Sequence, residues 1–290
     1  MNTIERAMRV ALGERAEYLP AMEAEAPPPV SPRPPDLTQL AGVAETLVRP
    51  VLQVDFEALR RRGCVMPDGP GAELAEQFQQ VKRRLIENLS REAASEAHAR
   101  PSNLVLVTSA LAGEGKTWFT LNLALSLARE IDRTVLVVDS DCVKADLGRL
   151  LGAVRRPGLY DALADPELDL ADLILRTQRP GLSFLPAGSV RAEATERLAS
   201  QAMARLAQDL AQRYPDRLIL FDAPSVLGTS GAAALAAHVG QVLLVVEACR
   251  TSAETVRRAL AALSHAPLAG VVLNKQQLPG SRPFRAAPSA

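Results

Sequence analysis

The chain has 290 residues, 48% hydrophobic and 23% charged, with 33 basic and 33 acidic side chains. That composition is globular, and zero net charge gives no electrostatic reason to expect nucleic acid or another polyanion as partner. Cys64, Cys142 and Cys249 share no metal or disulfide spacing, and the opening MNTIERAMRVALGER has no apolar signal core. A protein of the reducing cytosol is therefore expected, without secretion.

In chain order, residues 2–17 read as a short helix with Ile4, Met8 and Ala11 on one face, inside an N-terminal arm spanning 1–24. Residues 25–36, EAPPPVSPRPPD, are Pro-rich and predict an extended linker, here taken as 25–49; a ligand for an SH3-like module is the alternative. Residues 50–70 hold a brief apolar alternation and a turn, an arm expected to pack on the main domain. From Ala72 the apolar positions Leu74, Phe78, Val81, Leu85 and Leu89 recur at spacings of three and four, which predicts a helix ending before Arg100-Pro101.

The core, placed at 101–275, starts with LVLVTSALAGEGKT, residues 104–117. A four-residue apolar run predicts a buried strand, a loop with Gly113 and Gly115 follows, and Lys116-Thr117 opens the helical stretch KTWFTLNLALSLARE. Strand, glycine-bearing loop, Gly-Lys-Thr and helix form a phosphate-binding loop. Backbone N–H groups converge there on phosphate oxygens, and the helix N-terminus adds its positive end. The nucleotide-binding stretch is thus Gly113, Glu114, Gly115, Lys116, Thr117 and Trp118, with Lys116 on the outer phosphates and the Thr117 hydroxyl on Mg²⁺. Ala110 stands where the usual pattern has its first glycine.

Apolar runs at Thr134–Asp139, Leu182–Pro186, Arg217–Asp222, Val242–Glu247 and Gly270–Asn274 alternate with helical stretches at 116–131, 195–214 and 251–265. The apolar stretch 232–249 is interrupted by His238, Gly240, Gln241 and Glu247, so it reads as helix then strand, not as a membrane span. The fold class expected is α/β, a P-loop NTPase whose mostly parallel sheet is covered by helices on both faces. Such a sheet binds ligand at the carboxyl ends of its strands. Asp139 and Asp222 end two of them, with Asp141 two residues beyond the first. Each could cap a turn; beside Gly-Lys-Thr they suit a Mg²⁺–phosphate site. Asp139 or Asp141 would accept a proton from an attacking hydroxyl, and Asp222 would hold the metal directly or through water. The tail 276–290 is expected to be disordered.

The segments VDFEALRRRG, AELAEQFQQVKRRL, VTSALAGEGKT, DRTVLVVDSDCVKADLGRLLG, LILFDAPSVLGTS, HVGQVLLVVEA and GVVLNK, in this order, resemble the bacterial tyrosine kinases of polysaccharide export. Within that family the chain is most similar to the exosortase-associated tyrosine autokinases, deviant Walker-type P-loop ATPases related to the MinD/ParA group. The resemblance implies ATP and Mg²⁺ as cofactors and tyrosine phosphorylation controlling exopolysaccharide chain length, polymerisation and export. It implies Lys116, Asp139 and Asp141 as catalytic residues; Thr117, Asp141 and Asp222 as metal residues; and Asn274 near the base. A membrane-embedded chain-length determinant (copolymerase) is the partner implied, which would hold a cytoplasmic protein at the inner membrane; a homo-oligomeric ring is a second assembly.

Several positions depart from the family pattern. The ring-forming E-x-x-R-x-x-R helix reads Glu76, Gln79 and Lys82 here, Lys144-Ala145 replaces basic-Pro, and Ser225 and Gly231 replace a proline and an acid. The last residues carry no tyrosine cluster; the tyrosines are Tyr18, Tyr160 and Tyr214. A regulatory ATPase without kinase activity is therefore the alternative. A MinD/ParA-type positioning ATPase is a weaker one, because Leu111 occupies its signature-lysine position. His98, His238 and His265 share no ligand spacing.

Overall fold

The computed structural model describes residues 51–65, 72–93, 100–189 and 193–276. The expected N-terminal arm, the Pro-rich linker and the tail beyond 276 lie outside them. In chain order the elements are β1 (Val51–Leu52), α1 (Phe56–Arg61), α2 (Ala72–Ala93), β2 (Leu104–Ser109), α3 (Lys116–Leu127), β3 (Thr134–Asp139), α4 (Asp146–Leu151), α5 (Leu159–Ala162) and α6 (Leu170–Leu173). There follow β4 (Leu175–Thr177), β5 (Leu182–Leu185), α7 (Ala194–Leu198), α8 (Gln201–Arg213), β6 (Arg217–Asp222), α9 (Gly231–Ala236), β7 (Gln241–Glu247), α10 (Ala253–Ala262) and β8 (Leu268–Asn274).

The strands form one eight-stranded sheet in the order β1-β4-β5-β3-β6-β2-β7-β8. Each described pairing is parallel except β4 with β5. Strands β2, β3, β6 and β7 are buried almost throughout because both faces are covered, which is why they read as unbroken apolar runs. Alternate residues divide between the faces. Leu104, Leu106, Leu136, Val138, Ile219 and Phe221 meet Met203 and Leu210 of α8 and Leu235 of α9. Val105, Val107, Val135, Val137 and Leu220 meet Phe119, Leu123 and Leu127 of α3 and Phe78 and Leu85 of α2.

Within the described residues the expected strands and helices are present, with shifted ends. The stretch 195–214 is two helices. Ser200 takes an extended backbone and its hydroxyl accepts the Met203 N–H at 3.2 Å, so it starts a new helix inside a continuous amphipathic pattern. Helix α3 stops at Leu127, where the N–H of Glu130 closes a tighter turn on the Leu127 carbonyl at 3.0 Å. The stretch 232–249 is helix α9 followed by strand β7, and among the described residues no helix is long and apolar enough to cross a membrane.

Candidate functional site

At the carboxyl end of β2 the chain turns through residues 110–115 into α3. Gly113 (φ +88°) and Gly115 (φ +92°) take the left-handed backbone that a Cβ disfavours. Ala110 is fully buried and is not among the residues with positive φ, so this position does not require glycine. Gly115 is the N-cap of α3 and supplies no side-chain acceptor, which leaves the first N–H groups of the helix to an incoming anion.

The loop is clamped from its far side. Glu114, 2% exposed, accepts the Leu111 N–H at 2.6 Å, the Glu247 N–H at 3.3 Å and the Thr251 hydroxyl. Asn274 donates to the Glu114 carbonyl at 2.8 Å, and Lys275 donates to the Gly113 carbonyl at 2.7 Å while pairing with Glu247 at 3.0 Å. Asn274 therefore braces the loop backbone through its side-chain amide. Sequence reasoning missed the anchoring role of Glu114.

Three strand-end acids and Gly-Lys-Thr converge beyond the loop. The Lys116 ammonium lies 3.3 Å from an Asp141 oxygen and 4.0 Å from an Asp222 oxygen. The Thr117 hydroxyl donates to Asp222 at 2.7 Å, and Thr120, one helical turn on, donates to its other oxygen at 3.2 Å. Thr120 escaped the sequence reading, although its i+3 spacing from Thr117 puts it on the same helix face. Asp139 is wholly buried, and its two oxygens accept the N–H groups of Asp141 (3.1 Å) and Gly148 (3.3 Å), which fixes the start of α4. Asp141 accepts the Lys144 N–H at 3.2 Å with its other oxygen.

Burial pushes the Asp139 carboxyl up to about 7, reinforced by the Asp222 charge. Burial likewise raises Asp222, against the pull of Lys116. For Lys116, burial disfavours the charge but Asp222 and Asp141 outweigh it, and its pKa moves up. The ammonium is held charged where phosphates would arrive.

The donor set suits a nucleotide with a hard cation. Among the described residues no group of three or more His, Cys, Asp or Glu forms a metal cage. A Mg²⁺ ion keeps several waters and takes one or two protein oxygens plus phosphate, and the Thr117–Asp222 pair offers that number.

Other residues singled out in the sequence fall elsewhere. Trp118, grouped with the binding stretch, packs its ring against Phe78 of α2 at 6.0 Å between centroids. Tyr160 is 1% exposed and donates to the Ser140 carbonyl at 2.9 Å. Tyr214 packs on the core with the Arg217 guanidinium 4.3 Å over its ring. On α2, Glu76 is exposed, Gln79 is half-buried, and Lys82 is buried in an ion pair with Glu130 of the same chain. Ser225 is buried near the site, its carbonyl receiving the N–H of Gly228 at 3.0 Å.

No protein-family model matches the chain. EpsB of Ralstonia solanacearum, whose name provisionally makes it a tyrosine-protein kinase, is 30% identical over 253 residues, 83% of this chain and 32% of that protein. The succinoglycan biosynthesis transport protein ExoP of Rhizobium meliloti is 31% identical over 229 residues, 77% of this chain and 28% of that protein. The tyrosine-protein kinase Wzc of Salmonella typhi is 29% identical over 175 residues, 60% of this chain and 24% of that protein. The chain thus spans about a quarter to a third of these relatives. Among solved structures, the VpsO kinase domain aligns with TM-score 0.55 at 32% identity, covering 69% of this chain and 99% of that one. With nearly all of a kinase domain matched at that identity, on the same mostly parallel sheet, the chain belongs to the bacterial tyrosine-kinase family of P-loop proteins.

Proposed function

We propose that the chain is an ATP-dependent protein-tyrosine kinase, of the exosortase-associated kind, acting in exopolysaccharide polymerisation and export. One observation carries this reading: Thr117 lies 2.7 Å from Asp222 and Lys116 sits between Asp141 and Asp222, all at the head of a helix with an uncapped N-terminus. In this reading the amides of residues 113–117 bind the phosphates and Lys116 neutralises the outer ones. Thr117 holds Mg²⁺, with Asp222 directly or through water. When bound, the metal neutralises phosphate charge and orients the outer phosphoryl group for in-line attack. Asp141 takes the proton of the attacking hydroxyl: one of its oxygens lies 3.3 Å from the Lys116 ammonium, whereas Asp139 is wholly buried with both oxygens on backbone amides. Asn274 and Lys275 hold the loop in shape. A membrane-embedded copolymerase is the proposed partner, placing the protein at the cytoplasmic face of the inner membrane.

Purified protein incubated with γ-labelled ATP and Mg²⁺, followed for phosphate release and phosphotyrosine, tests this. Both signals are expected, and both should vanish in Lys116→Ala with the fold intact by circular dichroism. Unchanged turnover in that variant would falsify the site assignment. Phosphate release without phosphotyrosine selects a nucleotide-gated regulatory ATPase, a reading favoured by the burial of Tyr160 and the packing of Tyr214.

A further inference from the structure

We propose that the amino edge of the sheet, opposite the nucleotide site, docks on a membrane surface of anionic lipids, with a row of arginines on the headgroups and Ile131 entering the interface. The inference goes beyond the kinase reading and does not depend on it. It assigns membrane contact to this chain's own side chains, without any membrane-embedded partner.

Topology collects the arginines. Strands β4, β5, β3 and β6 are neighbours in the sheet. Strands β3 and β6 start side by side at Thr134 and Arg217, β5 starts beside Val135, and antiparallel β4 ends among them at Thr177. The turns at this edge are bonded together: the Thr134 N–H meets the Asp216 carbonyl at 3.3 Å, and the Val135 N–H meets the Gly181 carbonyl at 2.8 Å. Arg133, Arg176, Arg179 and Arg217 therefore line three strand spacings, about 15 Å. Arg129 joins them from the end of α3, because the Cβ that Gly181 lacks would sit 3.1 Å from the Ala128 carbonyl oxygen. Arg129 and Arg176 are exposed and the other three half-buried, and none of the five takes part in the ion pairs formed among the described residues.

The charge of this edge is one-sided. Of the carboxylates on the same turns, Glu130 is taken by Lys82, which leaves Asp132 and Asp216 against the arginines. Burial lowers the Arg217 pKa, Tyr214 under its guanidinium opposes that, and the charge of Arg176 lowers it further, so the two arginines share one field. Between Arg129 and Arg133, Ile131 is 97% exposed, the most exposed large apolar side chain among the described residues. A lone exposed aliphatic is ordinary on a protein surface. One held in a turn between arginines matches an anionic headgroup layer over an apolar interior. An acidic polypeptide satisfies the arginines alone, whereas the bilayer interface satisfies both features. Six-residue β3 and β6 separate this edge from Asp139 and Asp222 by about 17 Å, so docking leaves the nucleotide site clear of the surface.

The test is flotation of the full chain with vesicles of phosphatidylglycerol and phosphatidylcholine, or of phosphatidylcholine alone. Binding is expected to the anionic vesicles only, and to be lost in concentrated salt as the charges are screened. Each arginine near an anionic surface contributes roughly fivefold to partitioning, so Arg129→Gln/Arg176→Gln, both at exposed positions, should lower the partition coefficient at least about tenfold. Ile131→Ser should lower it at least about fivefold while leaving its salt dependence unchanged. In Ile131→Trp the added emission should shift to shorter wavelength on anionic vesicles, over the Trp118 signal of the parent. Circular dichroism should show the parent fold in all three variants. Absence of vesicle binding, equal binding to phosphatidylcholine, or binding undiminished in Arg129→Gln/Arg176→Gln overturns the proposal. Binding of polyglutamate in place of the vesicles, with no emission shift, would make the edge a docking surface for acidic polypeptide and overturns it as well. None of these measurements uses ATP, so their outcome stands apart from that of the kinase reading.

Discussion

Gly115→Ala should weaken the fold through two costs that a second substitution can separate. Gly115 sits at φ +92°, where an L-residue loses about 1–2 kcal/mol. Its new Cβ would lie 2.3 Å from the Asn274 amide nitrogen, a distance no real contact allows, so Asn274 has to swing away. In doing so it gives up its 2.8 Å bond to the Glu114 carbonyl, about 1 kcal/mol. The sum, about 2–3 kcal/mol, should lower the melting temperature by roughly 5–10 °C for a domain of this size. Asn274→Ala alone removes only the hydrogen bond. The double variant pays for strain and hydrogen bond once each, so it should melt close to Gly115→Ala and fall about 1 kcal/mol short of additivity. Calorimetric melting of the four proteins measures this. A double variant that loses the full sum would show that the two residues do not collide, and the account of the clamp would fail.

Asp222→Asn should leave the melting temperature within a few degrees of the parent, because burial already disfavours its charge and Lys116 keeps Asp141. Nucleotide turnover should nevertheless fall by about a hundredfold or more, and retained turnover would remove Asp222 from the metal site. Tyr160→Phe strips the Ser140 carbonyl of its buried donor and should cost about 1–3 kcal/mol in urea unfolding, with the phosphotyrosine yield unchanged. Burial pushes the Cys64 thiol up to about 11, against a bond to Asn122, from 9.0 for a free thiol. The folded state keeps a proton that the unfolded chain gives up, so this contribution is complete below pH 9 and is lost as pH rises toward 11, by up to about 2–3 kcal/mol. In Cys64→Ala the alkaline decline should be shallower than in the parent, and parallel curves would refute the assignment.

What was legible in the sequence is what local physics writes there. Strands β2, β3, β6 and β7 announce themselves because two-sided burial leaves no polar residue in the run, and the loop shows because Gly115 and Lys116-Thr117 are adjacent. The strand-end positions of Asp139 and Asp222 placed them together before any coordinates, since parallel strands share a carboxyl edge. The clamp was not legible, because Glu114 meets Glu247 and Thr251 across sequence separations of 133 and 137 residues. Two-residue β1 and three-residue β4 are too short to carry a period. The division of the stretch 195–214 was hidden because its apolar stripe continues across Ser200. The burial of Tyr160 was likewise not legible, because it comes from the end of β5, to which its backbone is bonded across 27 residues (160 to 187).

The charges around Lys116 bear on what the site requires before it can hold a triphosphate. One ammonium faces Asp141 and Asp222, with Asp139 behind them, and the three carboxyls lie in a nearly dry environment. In such surroundings like charges repel far more strongly than in water, which is part of why Asp139 holds its proton up to about 7. A polyphosphate brought there alone would add negative charge to a net-negative cluster. The uncapped start of α3 offers about half a positive charge and Lys116 offers one, which together do not offset a triphosphate. A divalent cation arriving with the nucleotide would close that gap, and the Thr117 and Asp222 oxygens are the groups that would hold it. Nucleotide affinity should therefore depend steeply on Mg²⁺, and affinity unchanged by chelation would mean that the phosphates sit away from these acids.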